Sequence, residues 1–510
     1  MADGGGAGST ASPTRFLLDT NAFIALEPFA GQLEAGMAPA STFMRLAMKQ
    51  GHRIFVHPAS RDELAEGQDG ARVQQRMAEL NKFEVLAESP INSHIDTELG
   101  AVVPDSNDHR DRRILAALYS NAVNFLVSDD GRLRRRAKRI GVGDRVLTLA
   151  DAAAMLEGFE PPAVAPPPPR VREVPSYALD LDQEIFESIR DDYPEFGDWI
   201  AKVQADSTNR ECYVVEEQDG TYAAIALLKI TEHDCAYNFI RPVTKISTFK
   251  VAPAYSGNHY GELLLKAVLQ SHHDHRVASA YVEVWGRHQR LIDFLGLFGY
   301  FDGGRSPKGE VVLVKVLRPQ DASLSPLDFH VHYGPPAVST AASVFVIPIQ
   351  DHWHNQLFPE CASTGVGGQL ALPGITGQMT RPWGNALRKA YLCNASTKQM
   401  NQGDVILFYR SGFQTVEVIG VAEDTHRTSE PDEVMNLVGG RTVYSASDIE
   451  ALAGHRSQVL VILFRQDRVI DPPWTLAELM SNHVLKAPPQ TVQKVKEAGT
   501  QWVHQQLADR

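Results

Sequence analysis

Four acidic side chains stand where the sequence predicts elements to end. Asp19 follows the apolar run Arg15-Phe16-Leu17-Leu18, and Glu63 lies in the helix after a second short strand, Arg53-Ile54-Phe55-Val56-His57. Asp111 opens a helix over 112–120, and Asp130 follows the strand Asn124-Phe125-Leu126-Val127-Ser128. In an open α/β sheet, chemistry gathers beyond the carboxyl ends of the strands. Four carboxylates brought together there repel one another unless metal ions neutralise them. Mg²⁺ or Mn²⁺ held by carboxylates and several waters suits phosphodiester hydrolysis. Asp108 lies one turn before Asp111, so both can face the same way, and it and Asn21 are candidates for auxiliary ligands in the resemblance drawn below. Two of the acids also have a plainer reading. Asp19 can cap the next helix, and Ser60 with Glu63 forms a capping-box pattern.

A second set lies in the middle of the chain. The strand over 245–251, ending at Val251, leads through Ala252-Pro253-Ala254-Tyr255-Ser256-Gly257-Asn258-His259-Tyr260-Gly261 into a helix over 262–270. Such a loop offers backbone N–H groups to an anionic phosphate at the helix N-terminus. Glu283, on the next strand Ala280–Trp285, is a candidate base or a plain surface acid. The third set is aromatic: Trp353 between His352 and His354, Trp383, and Tyr409. These suit a stacking pocket or core packing alike. Phe408 and Tyr409 are neighbours on a strand and face opposite sides. Arg132, Arg134, Arg135, Arg136, Lys138 and Arg139 form a basic run beside Asp130, fit for phosphates or simply a solvated flank.

At 510 residues the chain is long for one core. The proline run Pro161–Pro169 reads as an extended spacer, and the weakly periodic stretch from Arg318 to about Ser343 is a softer boundary. The expected domains are 15–157, 183–318 and 343–508, joined by linkers over 158–182 and 319–342. The net charge of −13 argues against coating nucleic acid by bulk attraction. Residues 1–150 carry 18 Lys+Arg against 19 Asp+Glu, so they repel a polyanion least. The four cysteines show no CxxC spacing and read as free thiols. The opening stretch reads as a disordered lead-in with no apolar signal core, and no run is long enough to span a bilayer. A cytoplasmic protein is expected.

Three resemblances follow from these motifs. The order LLDTN, DEL, DRRILAAL and FLVSDDGRL resembles the PIN-domain nucleases. This implies a small parallel α/β sheet with Asp19, Glu63, Asp111 and Asp130 as the catalytic, metal-binding acids, cutting RNA with divalent metal. Asp130 matches better than Asp129, standing two after Ser128 and three before Leu133. The middle third resembles the GNAT acetyltransferases, a mixed α+β fold, which implies an acetyl-CoA pyrophosphate loop at 256–261. Here the family's usual Arg or Gln falls at Ser256 and its middle Gly at His259. The tyrosine that often protonates the leaving thiolate falls at Leu295, so either the proton comes from elsewhere, such as Tyr300 or His288, or this domain binds without catalysing. The stretch from WGNALRKA to MNQGDVILFYRS is similar to the PUA-like family, in its EVE and ASCH branches. That implies a small β-barrel binding RNA or modified bases.

Together the resemblances imply a multidomain α/β protein acting as a metal-dependent RNA endonuclease. A tRNA-like target, a toxin or defence role and an antitoxin or regulatory partner follow by analogy. The alternative is an N-acetyltransferase of protein or aminoacyl-tRNA, its terminal domains delivering substrate. A second alternative is a non-catalytic sensor of RNA and CoA.

Overall fold

The computed structural model describes residues 13–25, 37–66, 73–74, 76–77, 80–81, 83–158, 171–217, 219–321, 323–363, 382–395, 400–439, 441–453 and 458–509. The proline run at 161–169 lies outside them. Their fold divides into two compact units. The first comprises 1–161 with 392–394 and 427–461, and the second the remainder.

In the first unit, β1 (Arg15–Leu18), β2 (Arg53–Val56), β3 (Glu84–Val85), β4 (Phe125–Val127) and β5 (Val146–Leu147) form a sheet in the order β3-β2-β1-β4-β5. Every pairing is parallel. Strands buried on both faces need continuous apolar runs, and Phe16, Leu17 and Leu18 are fully buried. Helices α1 (Thr20–Ile24), α2 (Met37–Lys49), α3 (Pro58–Ala65), α4 (Ser93–Leu99), α5 (Asn107–Tyr119), α6 (Gly131–Arg139) and α7 (Leu149–Gly158) accompany it. The strand order reverses between β1 and β4, so Asp19 and Asp130 both emerge at the switch point. The capping box at Ser60 does not form. Pro58 starts α3 and His57 caps it, its Nδ1 accepting Ala59 N–H at 3.1 Å, while Ser60 is buried inside the helix. A proline's fixed φ favours the first helical position, which moves the cap from residue 60 to residue 57, three residues earlier.

The second unit opens with a seven-stranded sheet. Strands β6 (Val171–Glu173), β7 (Arg210–Glu216), β8 (Tyr222–Lys229), β9 (Val243–Val251), β10 (Ser279–Val284), β11 (Phe301–Arg305) and β12 (Val311–Val316) take the order β11-β12-β10-β9-β8-β7-β6. Val171–Glu173, read as linker in the sequence, pairs antiparallel with β7. Only β9 and β10 run parallel. One face packs on α10 (Tyr260–Asp274) and α11 (Gln289–Leu297), through Leu264, Leu265, Val268 and Leu295. Another cluster joins Ile225 and Leu227 to Phe186, Phe196 and Ile200, around α8 (Glu187–Asp192) and α9 (Phe196–Ala205). Lys315 on β12 is fully buried. Its Nζ donates to the carbonyls of Phe298 (2.7 Å), Val331 (3.1 Å) and His332 (3.1 Å). It thereby ties the end of α11 to the end of α12 (Pro326–Tyr333), a helix inside the stretch expected as linker.

Beyond it, β13 (Val344–Ile349), β14 (Arg388–Cys393), β15 (Val405–Arg410), β16 (Thr415–Thr428), β17 (Val459–Thr475) and β18 (Gln493–Lys494) form a six-stranded sheet in the order β14-β17-β16-β15-β13-β18. Helix α13 (Asp351–Leu357) follows β13, and α16 (Leu476–Ser481) and α17 (Glu497–Asp509) complete the region. Between β16 and β17, α14 (Pro431–Val438) and α15 (Ala446–Ala453) pack in the first unit instead, which chain order alone would not suggest. Arg15 meets Asp432 at 3.3 Å, and Asn124 Nδ2 donates to Asn436 Oδ1 at 3.0 Å.

All six tryptophans lie in the second unit, so their fluorescence reports its unfolding. Lys315→Met keeps the apolar stem but strands three buried carbonyls. Urea unfolding followed by that fluorescence should show a loss of about 2–4 kcal/mol, since each unsatisfied buried group costs about 1–3 kcal/mol.

Candidate functional site

A crevice in the seven-stranded sheet of the second unit follows from its strand pairing. β9 and β10 pair from Val243–Ser279 to Ile246–Val282, and no further. β9 nevertheless continues to Val251, held on its other side by β8. The two parallel strands therefore part company, and the residues after Ile246 border an opening.

The loop after β9 closes one side of this opening. Gly257 (φ +89°) and His259 (φ +54°) are left-handed. Glycine reaches that conformation freely, and histidine is among the residues that tolerate it. The chain thus keeps the turn although His259 replaces a glycine. Among the described residues, the N–H groups of Tyr260, Gly261 and Glu262 in the first turn of α10 donate to no backbone carbonyl. A Cβ on Gly261 would sit 3.6 Å from both Val251 and Phe294, which places this turn against the crevice wall. Exposed N–H groups at the start of a fifteen-residue helix attract an anion. Val251, Ser256, Gly257, Asn258, His259, Tyr260 and Gly261 are all brought together here.

A brace that the sequence did not reveal holds the loop. Glu262 Oε1 bonds His259 Nδ1 at 2.8 Å, while Oε2 accepts the N–H groups of Leu387 (2.5 Å) and Arg388 (3.3 Å). Burial opposes its charge, but His259 and these N–H groups outweigh burial and hold the carboxyl below its usual range. Asn385 Nδ2 donates to Asn258 O at 2.9 Å. The partners lie more than a hundred residues away, and only the tertiary fold joins them.

The candidate proton carriers separate clearly. Leu295 is fully buried and brings no acid. Burial pushes the Tyr300 hydroxyl well up, and it has no partner among the described residues. Both oxygens of Glu283 are engaged, by Tyr237 Oη and Lys245 Nζ, each at 2.6 Å. His288 caps no backbone group at the start of α11, and its Nε2 lies 3.0 Å from Asp192 Oδ2. Asp192 gave no sequence signal, because nothing in its local context relates it to residue 288.

In the first unit, Asp19 lies within electrostatic reach of Glu63, Asp111 and Asp130, and Asp111 within reach of Asp130. Asp19 is 5% exposed; its Oδ2 accepts Ser128 Oγ–H at 2.7 Å and its Oδ1 accepts Thr20 N–H at 2.8 Å. Burial, with Glu63 and Asp130 adding repulsion, raises its carboxyl to about 6. Burial, with the charges of Asp19 and Asp130, raises Asp111 to about 7 despite Arg136. Asp130 Oδ1 caps α6 through Arg132 N–H at 2.6 Å. Arg136, however, ion-pairs with both Asp111 and Asp108, and the latter contact is 2.5 Å. Among the described residues, no three His, Cys, Asp or Glu are grouped to hold a metal ion. The acid set as arranged does not fit Mg²⁺ or Mn²⁺. Asn21, Arg132 and Arg135 are exposed and Arg134 is half-buried.

The aromatic candidates differ in their surroundings. Tyr409 is in the core, and Trp353 is half-buried on α13. Trp383 sits in a short turn over Pro382–Asn385, its side chain outside the described residues. His354 is fully buried and His352 exposed, so the two do not face each other. No helix among the described residues is long and apolar enough to cross a membrane.

No curated protein sequence matches this chain. Among solved structures, the ASCH protein of Zymomonas mobilis is 13% identical, with 32% of this chain and 93% of that one covered at a TM-score of 0.23. A GNAT-family acetyltransferase of Staphylococcus aureus is 12% identical, covering 29% and 99% at 0.24. The PaiA N-acetyltransferase of Thermoplasma acidophilum, solved with coenzyme A, is 14% identical, covering 29% and 99% at 0.24. Such scores are too low to carry a functional argument. Residues 177–300, however, match the acetyltransferase (GNAT) family, so the chain carries a domain of that family across the strands and loop just described.

Proposed function

We propose that the domain over 177–300 is an N-acetyltransferase that takes its acyl group from acetyl-CoA. The observation that carries the reading is the parting of β9 and β10 beside a helix N-terminus with three unbonded N–H groups, within the matched region. Tyr260, Gly261 and Glu262 would hold the pyrophosphate through their N–H groups, and Val251 and Phe294 would line the path toward the thioester. The thioester supplies an activated acyl group; the protein supplies orientation and exclusion of water. Protein amines or aminoacyl-tRNA are the acceptor classes favoured by the sequence, with the remaining regions delivering them. Labelled acetyl-CoA incubated with total protein and total RNA should mark one pool, and label in neither would contradict the reading.

Ser256 is exposed and stands where Arg or Gln is usual in the family. Ser256→Arg should lower KM for acetyl-CoA about threefold and Ser256→Glu raise it about tenfold, both effects shrinking in high salt, since a charge at a helix end contributes roughly 0.3–1 kcal/mol, more when partly buried. Steady-state kinetics at two ionic strengths checks this.

A second reading, a metal-dependent ribonuclease in the first unit, is supported by the electrostatic influence of Glu63 and Asp130 on Asp19, and of Asp19 and Asp130 on Asp111, near the sheet's switch point. It requires Arg136 to leave Asp111. The RNA target, a toxin or defence role and an antitoxin partner belong to this reading alone. Its electrostatics make a separate prediction. Asp19 and Asp111 have carboxyls raised in the fold, so the folded state keeps protons that the unfolded chain has lost. Stability of this unit should therefore fall as pH rises from about 4 through 7 and stay low above. Hydrogen exchange of residues 15–18 and 125–127 should quicken over that range, and Asp111→Asn should flatten the trend. Under the nuclease reading Mn²⁺ at pH 8 restores protection; no response to Mn²⁺ would count against it.

A further inference from the structure

Helix α8 spans the mouth of the crevice. On one side Ser188 Oγ accepts from Lys250 Nζ near the end of β9. On the other, Asp192 accepts from Arg287 Nη2 at 2.6 Å and lies 3.0 Å from His288 Nε2, just beyond the end of β10. The two strand ends that part company are thus rejoined through one short helix, and the histidine–aspartate pair sits where they face each other. A carboxylate can only accept, so Nε2 carries the proton and donates to Asp192. Nδ1 is left as a lone pair, with no hydrogen-bond partner among the described residues, on a side chain 42% exposed. The charged and titratable groups around the pair are Arg287, Lys250, Asp191 and Tyr193, whose hydroxyl donates to Glu310 at 3.0 Å.

We propose that His288, oriented by Asp192, is the proton carrier for acyl transfer at the mouth of the β9/β10 crevice. The inference rests on the acetyltransferase reading. Leu295, Tyr300 and Glu283 are each unavailable for the reasons given above, which leaves this pair as the one geometry supports. His288 Nδ1 takes a proton from the attacking primary ammonium. The freed amine nitrogen forms a bond to the thioester carbon, the C–S bond breaks, and the imidazolium returns a proton to the departing thiolate. An amine and a thioester give an amide and a thiol, with the second amine proton lost to solvent as the tetrahedral centre collapses and the ammonium's first proton shuttled to sulfur. Asp192 is a positioning residue: it fixes the tautomer that leaves Nδ1 basic and stabilises the imidazolium.

The test uses the full chain, acetyl-CoA, and lysine-bearing peptide, spermidine and aminoacyl-tRNA as acceptor probes, with thiol release as the rate and thermal shift for binding. His288→Gln keeps a donor to Asp192 but no base. It should lose roughly 100- to 1,000-fold in kcat, the scale of general acid–base catalysis, with KM for acetyl-CoA and the melting temperature unchanged. Its residual rate should climb with pH as free amine accumulates. Asp192→Asn should lose less and shift the pH profile of kcat, which a purely structural role would not do. Wild-type kcat in His288→Gln would overturn the proposal while leaving the acetyltransferase reading intact. Acetyl-CoA binding without thiol release to any probe would also overturn it. Failure of wild-type protein to bind acetyl-CoA would instead overturn the parent reading, and the proposal with it.

Discussion

The proposed acyl transfer depends on the separation of two parallel strands. Backbone N–H and C=O groups seek partners, so a strand that leaves its neighbour must be held from elsewhere. β9 manages this because β8 pairs with it up to Val251, after its bonding to β10 ends at Ile246. The cost of an unpaired edge is thereby confined to one side of one strand. What opens there is a slot lined by polar backbone on one edge, with a helix N-terminus aimed across its end.

The surroundings serve to keep that slot in shape. Lys315 fastens the end of α11 to α12 from below, and Glu262 fastens the loop to the segment before β14. Both are buried charged groups whose partners are chiefly backbone, which fixes geometry more strictly than apolar contact would. Residues 343–391, 395–426 and 462–509 are therefore part of the same compact unit as residues 177–300. In the first unit, a parallel sheet collects acids at its switch point, and Arg136 balances them with protein charge.

Much of this was legible in the residues. The strand read over 245–251 is the second part of β9, and that read over Ala280–Trp285 is β10 within one residue. The Gly257–Gly261 loop pointed to an anion site, and the structure places it at a helix start. Other features were hidden for physical reasons. A lysine inside VVLVKV reads as a surface residue until three helix-end carbonyls are found around it. Asp192 and His288 are 96 residues apart and meet only through the packing of a six-residue helix. The arginine run beside Asp130 looked like a face for phosphates, yet Arg136 turns back onto the acids, because a buried carboxylate draws the nearest cation. Pro58 overrode the capping box since local backbone preference acts before side-chain reach.

The central claim is that the slot between β9 and β10 is where acetyl-CoA binds. Amide hydrogen exchange, resolved by peptide and recorded with and without coenzyme A, addresses it directly. The account predicts slowed exchange at residues 247–263, strongest at Tyr260, Gly261 and Glu262. Unchanged exchange there, or protection confined to another part of the chain, would contradict it.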